Sequence, residues 1–416
     1  MIDFTTKLPE MKSGNELISA LSIIPEYDET ICQQNQAVRL MALSDLYQIY
    51  VPSQMSIEIY NKLYLALLRS MQKKGSQMAI KQRYENYKAM QQQSYSGILG
   101  GSDSFTIIGT SGIGKSSAIS RAISLITENR IIEIDKPYTK IIPCLIVQCP
   151  FDSSVKGMLF EILRKVDETL GSNYYQYALK ARATTDMLIG SVAQVALNHI
   201  GMLVVDEIQN VVNSKNGKSL IGALTQLINN SGISICMVGT PESTVFFESA
   251  MQIARRSVGL QYTTMNYDEY FQSFCKVIFK YQFLKNHTEI TAAITEWLYE
   301  HSAGVVSVVI SLIHDAQEIA ILKGKEVLNL DTLNEVYQQR LSLLHGYIQP
   351  SVIQNNPTTR KKKTAASVKK NQGTIINQAE EQERYSISEI AEKAKTQNLD
   401  VVKLLKNVYK VVEVSV

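Results

Sequence analysis

The sequence predicts an α/β fold built on a parallel β-sheet covered by helices, followed by a small all-helical unit. Three observations carry that prediction. An apolar run at 105–108 enters a glycine-rich turn and leaves it in a helical stretch at 117–126. Three more apolar runs, at 141–147, 202–205 and 233–238, alternate with helical periodicity at 155–170, 187–198 and 220–229. Apolar runs without polar alternation bury both faces of a strand, as a parallel sheet between helix layers requires. In such sheets ligands bind at the carboxyl ends of the strands, where the polar candidates below all fall.

The flanking segments follow in order. Residues 1–98 precede the turn and read as an N-terminal partner-binding extension. Within it, 57–71 has helical spacing of apolar residues, Lys73-Lys74-Gly75-Ser76 breaks it, and a basic, tyrosine-bearing stretch follows at 81–88. Residues 94–104 are rich in Ser and Gly, as a linker is. A nucleotide-binding domain is expected over 99–286. A helical lid over 287–346 contains helices at 288–301, 305–322 and 330–344, the last capped by Asn329 or Asp331. Residues 347–384 form a flexible basic linker by composition: Arg360-Lys361-Lys362-Lys363 lies in it, and no acidic residue occurs between 347 and 379. Helical periodicity returns over 385–416, too short to bury a core alone, and is expected to be a C-terminal docking hook.

Bulk properties narrow the class. A chain of 416 residues exceeds one compact core. The net charge of +3 neither demands nor excludes nucleic acid. The five cysteines form no C-x-x-C pair and no zinc spacing, which suits a reducing cytoplasm. No apolar run reaches the length of a bilayer span and no signal peptide is evident, so a membrane is not an expected partner.

Two motifs carry the chemistry. Gly109-Thr110-Ser111-Gly112-Ile113-Gly114-Lys115-Ser116, followed by Ser117, fits the phosphate-cradling loop G-x-x-x-x-G-K-[ST], in the required strand–loop–helix setting. Its glycines let backbone N–H groups face an anion, and the helix start adds a favourable dipole. Lys115 is expected to reach the outer phosphates of ATP, and the Ser116 hydroxyl to hold Mg²⁺. The run 202–207 ends in Asp206 and Glu207. Asp206 suits the Mg²⁺ shell and Glu207 a general base on the attacking water. Thr240 ends the next strand and is placed to bond that water or the terminal phosphate. Arg255 and Arg256 follow a helical stretch at 243–253, where an arginine faces a neighbour's nucleotide as a finger supplied in trans.

The phosphate loop, Val205-Asp206-Glu207-Ile208-Gln209, Gly239-Thr240-Pro241-Glu242 and Ala254-Arg255-Arg256, in that order, resemble AAA+ P-loop ATPases. More narrowly they are similar to the TnsC transposition regulators, relatives of TniB and MuB. Leu170-Gly171-Ser172-Asn173-Tyr174 and Ser302-Ala303-Gly304-Val305-Val306 also fit that group. The resemblance covers roughly 20–346. It implies an AAA+ sheet flanked by helices, a small helical lid and a short helical C-terminal extension. It also implies a regulatory, bacterial, cytoplasmic ATPase that assembles as a homo-oligomeric ring or helical filament on duplex DNA. Such proteins link a target selector of the TnsD or TniQ type to a transposase of the TnsA/TnsB type. By the same resemblance Thr240 takes the sensor role and Arg255 or Arg256 that of the finger. One departure stands out: the lid position that often carries an arginine reads Gly304-Val305-Val306-Ser307.

A ring on DNA must offer cations to phosphates without reading sequence. Lys156, Lys180 and Arg182, after the second strand, are the DNA-binding candidates, and no sequence-reading module is evident. An AAA+ replication or helicase loader is the alternative function. A P-loop phosphotransferase is disfavoured, because the helical 287–346 region holds no arginine before Arg340.

Overall fold

The computed structural model describes residues 4–90, 104–135, 138–212, 214–244, 247 and 259–340. Among the described residues, four α-helices precede the phosphate loop: α1 (Gly14–Leu21), α2 (Gln36–Ala42), α3 (Gln54–Lys74) and α4 (Gln77–Met90). The break at Gly75 and Ser76 falls where the sequence places it. Ser53 and Ser56 form a reciprocal capping box that starts α3.

The described residues form a six-stranded sheet in the order β2-β3-β4-β5-β1-β6. Its strands are β1 (Phe105–Gly109), β2 (Ile132–Asp135), β3 (Tyr138–Gln148), β4 (Ile200–Asp206), β5 (Ser234–Gly239) and β6 (Leu260–Tyr262). All pairings are parallel except β2 with β3, an antiparallel hairpin at one edge. The sequence reading has no counterpart for β2 or β6. Both are edge strands and short, four and three residues, too brief for periodicity to register.

The connecting helices are α5 (Lys115–Thr127), α6 (Val155–Leu170), α7 (Tyr174–Lys180), α8 (Thr185–His199) and α9 (Gly217–Ser231). Helices α6, α8 and α9 cover one sheet face through Leu159, Val192 and Leu224, among others. The other face is covered by α5 and by the segment before the loop: Leu17, Leu21, Ile59, Leu63 and Leu67 pack with Ile107, Met202 and Val204. All five residues of β1 and all six of β5 are buried. Each fully buried aliphatic side chain contributes about 1.5–3 kcal/mol. Much of 1–98 is therefore a wall of the sheet domain.

The lid comprises α10 (Glu269–Lys280), α11 (Ala292–Ser302), α12 (Val306–Leu322) and α13 (Leu330–Gln339). Asn329 caps α13 reciprocally with Thr332, with Asn329 Oδ1 3.0 Å from the Thr332 N–H that donates to it. Its core, centred on Phe271, Phe283, Leu312 and Ile313, also takes in Leu43, Leu46 and Ile49. Arg39 clasps Glu326 with two guanidinium bonds of 2.6 and 2.8 Å. The N-terminal segment thus binds both the sheet domain and the lid. Helices run over 292–302, 306–322 and 330–339, against the expected 288–301, 305–322 and 330–344, whose last residues lie outside the described ones; α10, expected within the nucleotide domain, packs through Phe271 and Ile278 into the same core. The helix expected at 243–253 lies almost wholly outside the described residues, as do the linker at 347–384 and the hook at 385–416.

Candidate nucleotide site

The phosphate loop leaves β1 at Gly109, where a Cβ would meet the Tyr262 carbonyl at 2.8 Å and the Ile113 side chain at 2.9 Å. No larger residue fits there. Gly112 and Gly114 take φ of +80° and +94°, in the left-handed region that favours glycine. Ile113 is buried and anchors the loop, while helix α5 begins directly at Lys115. The first-turn N–H groups of α5 therefore face the same cleft as the loop.

Lys115 folds inward. Its ammonium donates to the carbonyls of Gly109 at 2.6 Å and Thr110 at 2.8 Å. Burial pulls its pKa below the ordinary lysine value, while Asp206, Glu207 and Glu242 oppose that shift. The Ser116 hydroxyl donates to Asp206 Oδ2 at 3.4 Å, across 90 residues of sequence. The parallel register explains how: Gln148 pairs with Asp206, whose carbonyl accepts from Cys149 N–H at 2.8 Å, so Asp206 stands at the carboxyl edge of the sheet.

Glu207 follows with φ +57°, a conformation that costs a non-glycine residue about 1–2 kcal/mol. The strain persists because the Glu207 N–H donates to Asp206 Oδ1 at 2.9 Å. The turn points Glu207 back to the cleft, where the Gln209 amide donates to its carboxylate. Thr240 follows the adjacent strand β5, and its hydroxyl bonds Glu242, holding that carboxyl below the usual range.

These groups share one cleft of about 280 Å³, lined by Ser111, Lys115, Ser117, Asp206, Glu207 and Thr240, among others. The lid closes it from the side. Ser307 N–H donates to the Gly112 carbonyl at 3.1 Å, and a Cβ on Gly112 would meet Ser307 Oγ at 2.4 Å. The lid thus presents the Ser307 hydroxyl in the stretch where the sequence shows no arginine. The sequence motifs contain Gln209 and Ser307 but give neither a role at the site: neither belongs to the phosphate loop or the acidic pair, and folding brings both to the cleft.

A second cavity of about 600 Å³ adjoins the first through Gly114, Ser116 and Ser117. Its walls are mainly apolar: Ile23, Ile49 and Tyr50 from the N-terminal segment, and Met265, Val306 and Ile310 from the lid side. An apolar chamber of this size beside a polar cleft is suited to a nucleoside joined to a phosphate chain. The donor set beside it, one hydroxyl and one carboxylate near an anion cradle, is the hard-oxygen chemistry that Mg²⁺ prefers. The residues present therefore fit ATP with Mg²⁺. No sequence motif marks this chamber, because three distant segments build it.

The three basic candidates lie together. Lys156 donates to the Ala183 carbonyl at 3.2 Å, which ties the start of α6 to the turn carrying Lys180 and Arg182, both exposed. Arg255 and Arg256 lie outside the described residues. The cysteines among the described residues are free thiols, with Cys236 buried in β5. No described helix is long and apolar enough to cross a membrane.

No curated protein matches the sequence. Among solved structures, the Aeropyrum pernix ORC1 protein in complex with DNA is similar at 12% identity and a TM-score of 0.40, over 63% of this chain and 64% of that one. This chain therefore spans slightly less than two thirds of that protein's length. Drosophila ORC bound to DNA matches at 12% identity and 0.44, over 97% and 84%. Domain III of the Thermotoga maritima replication initiation protein DnaA matches at 14% and 0.33, over 66% and 94%. Residues 100–264 match the family model of the bacterial TniB protein. That segment holds the phosphate loop, the acidic strand end and Gly239-Thr240-Pro241-Glu242, so the resemblance to the TniB family holds there, on an α/β fold with a mostly parallel sheet flanked by helices.

Proposed function

We propose that this chain is an ATP-dependent regulator of DNA transposition, which assembles on duplex DNA and couples a target selector to a transposase. The observation that carries the reading is the meeting of Lys115, Ser116, Asp206, Glu207 and Thr240 in one cleft, within the TniB-matched segment. The loop N–H groups and Lys115 bind the phosphates, and Ser116 with Asp206 would hold Mg²⁺, which would supply positive charge beside the phosphates. Glu207 accepts a proton from the attacking water, oriented by Thr240. Arg255 or Arg256 reaches a neighbouring copy's nucleotide, so hydrolysis requires assembly. Ring or filament formation follows nucleotide binding, and hydrolysis releases it.

Lys156, Lys180 and Arg182 supply cations to the DNA backbone without reading sequence. Partner contacts are assigned to the ends of the chain. The N-terminal extension, 1–98, presents Met78, Ile80, Tyr84 and Tyr87, each at least half exposed, along α4. The basic linker 347–384 carries the hook 385–416 to a TnsA/TnsB-type transposase, and a TnsD- or TniQ-type selector takes the other side.

Electron microscopy of the protein mixed with duplex DNA, with and without ATP, tests the reading. Rings or helices on DNA that require nucleotide are expected. Protein that stays monomeric with a non-hydrolysable analogue and excess duplex would overturn it. Deleting 385–416 is expected to leave ATP hydrolysis intact and weaken transposase recruitment.

A further inference from the structure

At the carboxyl edge of the sheet, one side chain is displayed in a way that neither packing nor the nucleotide site explains. Phe151, in the turn between β3 and α6, is 91% exposed, the most exposed large apolar side chain among the described residues. Burying a phenylalanine in the fold gains a few kcal/mol, so a mobile loop would turn it inward. This loop has no such freedom. Ser153 N–H donates to the Pro150 carbonyl at 2.9 Å, and Ser154 N–H to Asp152 Oδ1 at 3.0 Å.

The loop is also tied to the segment that follows Glu207. Asn210 Nδ2 donates to the Cys149 carbonyl at 2.9 Å, and Ser153 Oγ donates to the Asn210 carbonyl at 3.1 Å. Ser214 Oγ and Asn216 Nδ2 both donate to the Asp152 carbonyl, at 2.9 and 3.2 Å. The loop that carries the exposed ring is therefore a frame bonded from both sides.

The charges around that frame indicate what the ring meets. Lys215, between the two residues that bond Asp152, is exposed, as is Lys218 one turn on. On the other flank, Lys156 links to the turn bearing the exposed Lys180 and Arg182. Phe151 itself, Asp152 and Glu242 line a groove that reaches Gln209 and Thr240 of the nucleotide cleft, and the two carboxylates would repel phosphates from it. An exposed aromatic between cationic flanks, beside an acidic groove, is suited to a nucleic acid lying across the front: lysines on phosphates, the ring against bases.

We propose that Phe151 is a base-contacting wedge for duplex DNA, flanked by Lys215 and Lys218 as further phosphate contacts. This rests on the DNA-assembly reading above and adds to it a non-electrostatic contact. It also provides a route to Glu207, because Asn210 bonds both ends of the Phe151 loop three residues beyond the acid.

The chain contains a single tryptophan, Trp297, which is stacked on His301 in the lid at 3.9 Å between ring centroids. Phe151→Trp therefore adds a second, separable fluorophore. Three measurements use the full chain with a non-hydrolysable ATP analogue: Phe151→Trp emission on adding duplex, the salt dependence of DNA affinity, and emission of a 2-aminopurine duplex. The expected results are quenching of the new tryptophan by duplex and a 2-aminopurine rise with wild type. Phe151→Ala is expected to lose that rise and about tenfold in affinity at unchanged salt slope. Lys215→Ala with Lys218→Ala is expected to flatten the slope by nearly two, about 0.9 per phosphate contact.

If wild type binds duplex but neither the tryptophan emission nor the Phe151→Ala affinity responds, the wedge is wrong and DNA assembly stands. If the tryptophan responds to protein concentration and nucleotide alone, the ring packs on a second copy and the wedge is again wrong. If wild type does not bind duplex under any nucleotide condition, both readings fall.

Discussion

The side-chain amide of Gln209 donates a hydrogen bond to the Glu207 carboxylate, two residues back along the same turn. Its own oxygen, Oε1, is buried with no hydrogen-bond partner among the described residues. The bond occupies Oε2 of the carboxylate that is proposed to receive a proton from water. In the proposed mechanism that oxygen becomes free to receive the proton when Gln209 lets go. Gln209→Leu is accordingly expected to raise DNA-free ATP hydrolysis by about ten- to a hundredfold, since a hydrogen bond to a charged group is worth ~1.5–3 kcal/mol and each ~1.4 kcal/mol is a factor of ten. Steady-state phosphate release reads the change. A fall in rate would show that Gln209 holds Glu207 in its working position instead.

In the proposed mechanism Lys115 and Glu207 act at different stages, so their variants should separate. Lys115→Ala removes the inward ammonium that lies over the loop carbonyls, and nucleotide binding is expected to disappear in equilibrium dialysis. Normal ATP affinity would refute the loop assignment. Glu207→Gln keeps the cradle and loses the base. It is expected to bind ATP normally and to remain on DNA, with dissociation at least tenfold slower than wild type in stopped-flow measurements. Release at the wild-type rate in ATP would contradict the general-base role.

Arg255→Ala and Arg256→Ala test the finger in trans. The variant that removes the finger should retain ATP binding in the monomer and lose most of its turnover, because such fingers contribute ~10³–10⁵ in rate. Mixing it with Lys115→Ala should restore partial hydrolysis, since one copy then supplies the nucleotide and the other the finger. Unaltered turnover in both arginine variants would remove the idea.

Lys74 offers a test of the N-terminal wall. Its ammonium is buried and donates to the carbonyls of Ala196 and Leu197 at the end of α8, each at 2.7 Å. Burial pulls its pKa well below the ordinary lysine value. Between that lowered value and the unfolded value of about 10.4, the unfolded chain binds more protons than the native one, so stability rises with pH there. Lys74→Met removes the titrating group and leaves two carbonyls without their donor, at a cost of about 1–3 kcal/mol. The gap in urea midpoint between wild type and variant is expected to widen as pH rises from neutral toward 10. A gap independent of pH would show that Lys74 titrates as an exposed lysine does.

Local chemistry determined much of this protein. The glycines of the phosphate loop, Lys115 and Ser116, and the carboxylates that end β4, are legible in sequence because backbone conformation and anion binding restrict those positions to a few residue types. The parallel sheet is legible because β1, β4 and β5 are buried on both faces and read as unbroken apolar runs. Only tertiary structure decided the rest. The apolar chamber joins Ile23, Tyr50 and Met265, residues far apart in sequence and ordinary in type, whose proximity depends on how the N-terminal segment crosses from sheet to lid. Ser307 enters the phosphate cleft because α12 starts against Gly112, and the loop of Phe151 is braced because Asn210 and Ser214 bond it. Short-range patterns record what a residue must do for its own backbone, whereas shared cavities and braced loops arise from packing between distant segments, which no local pattern encodes.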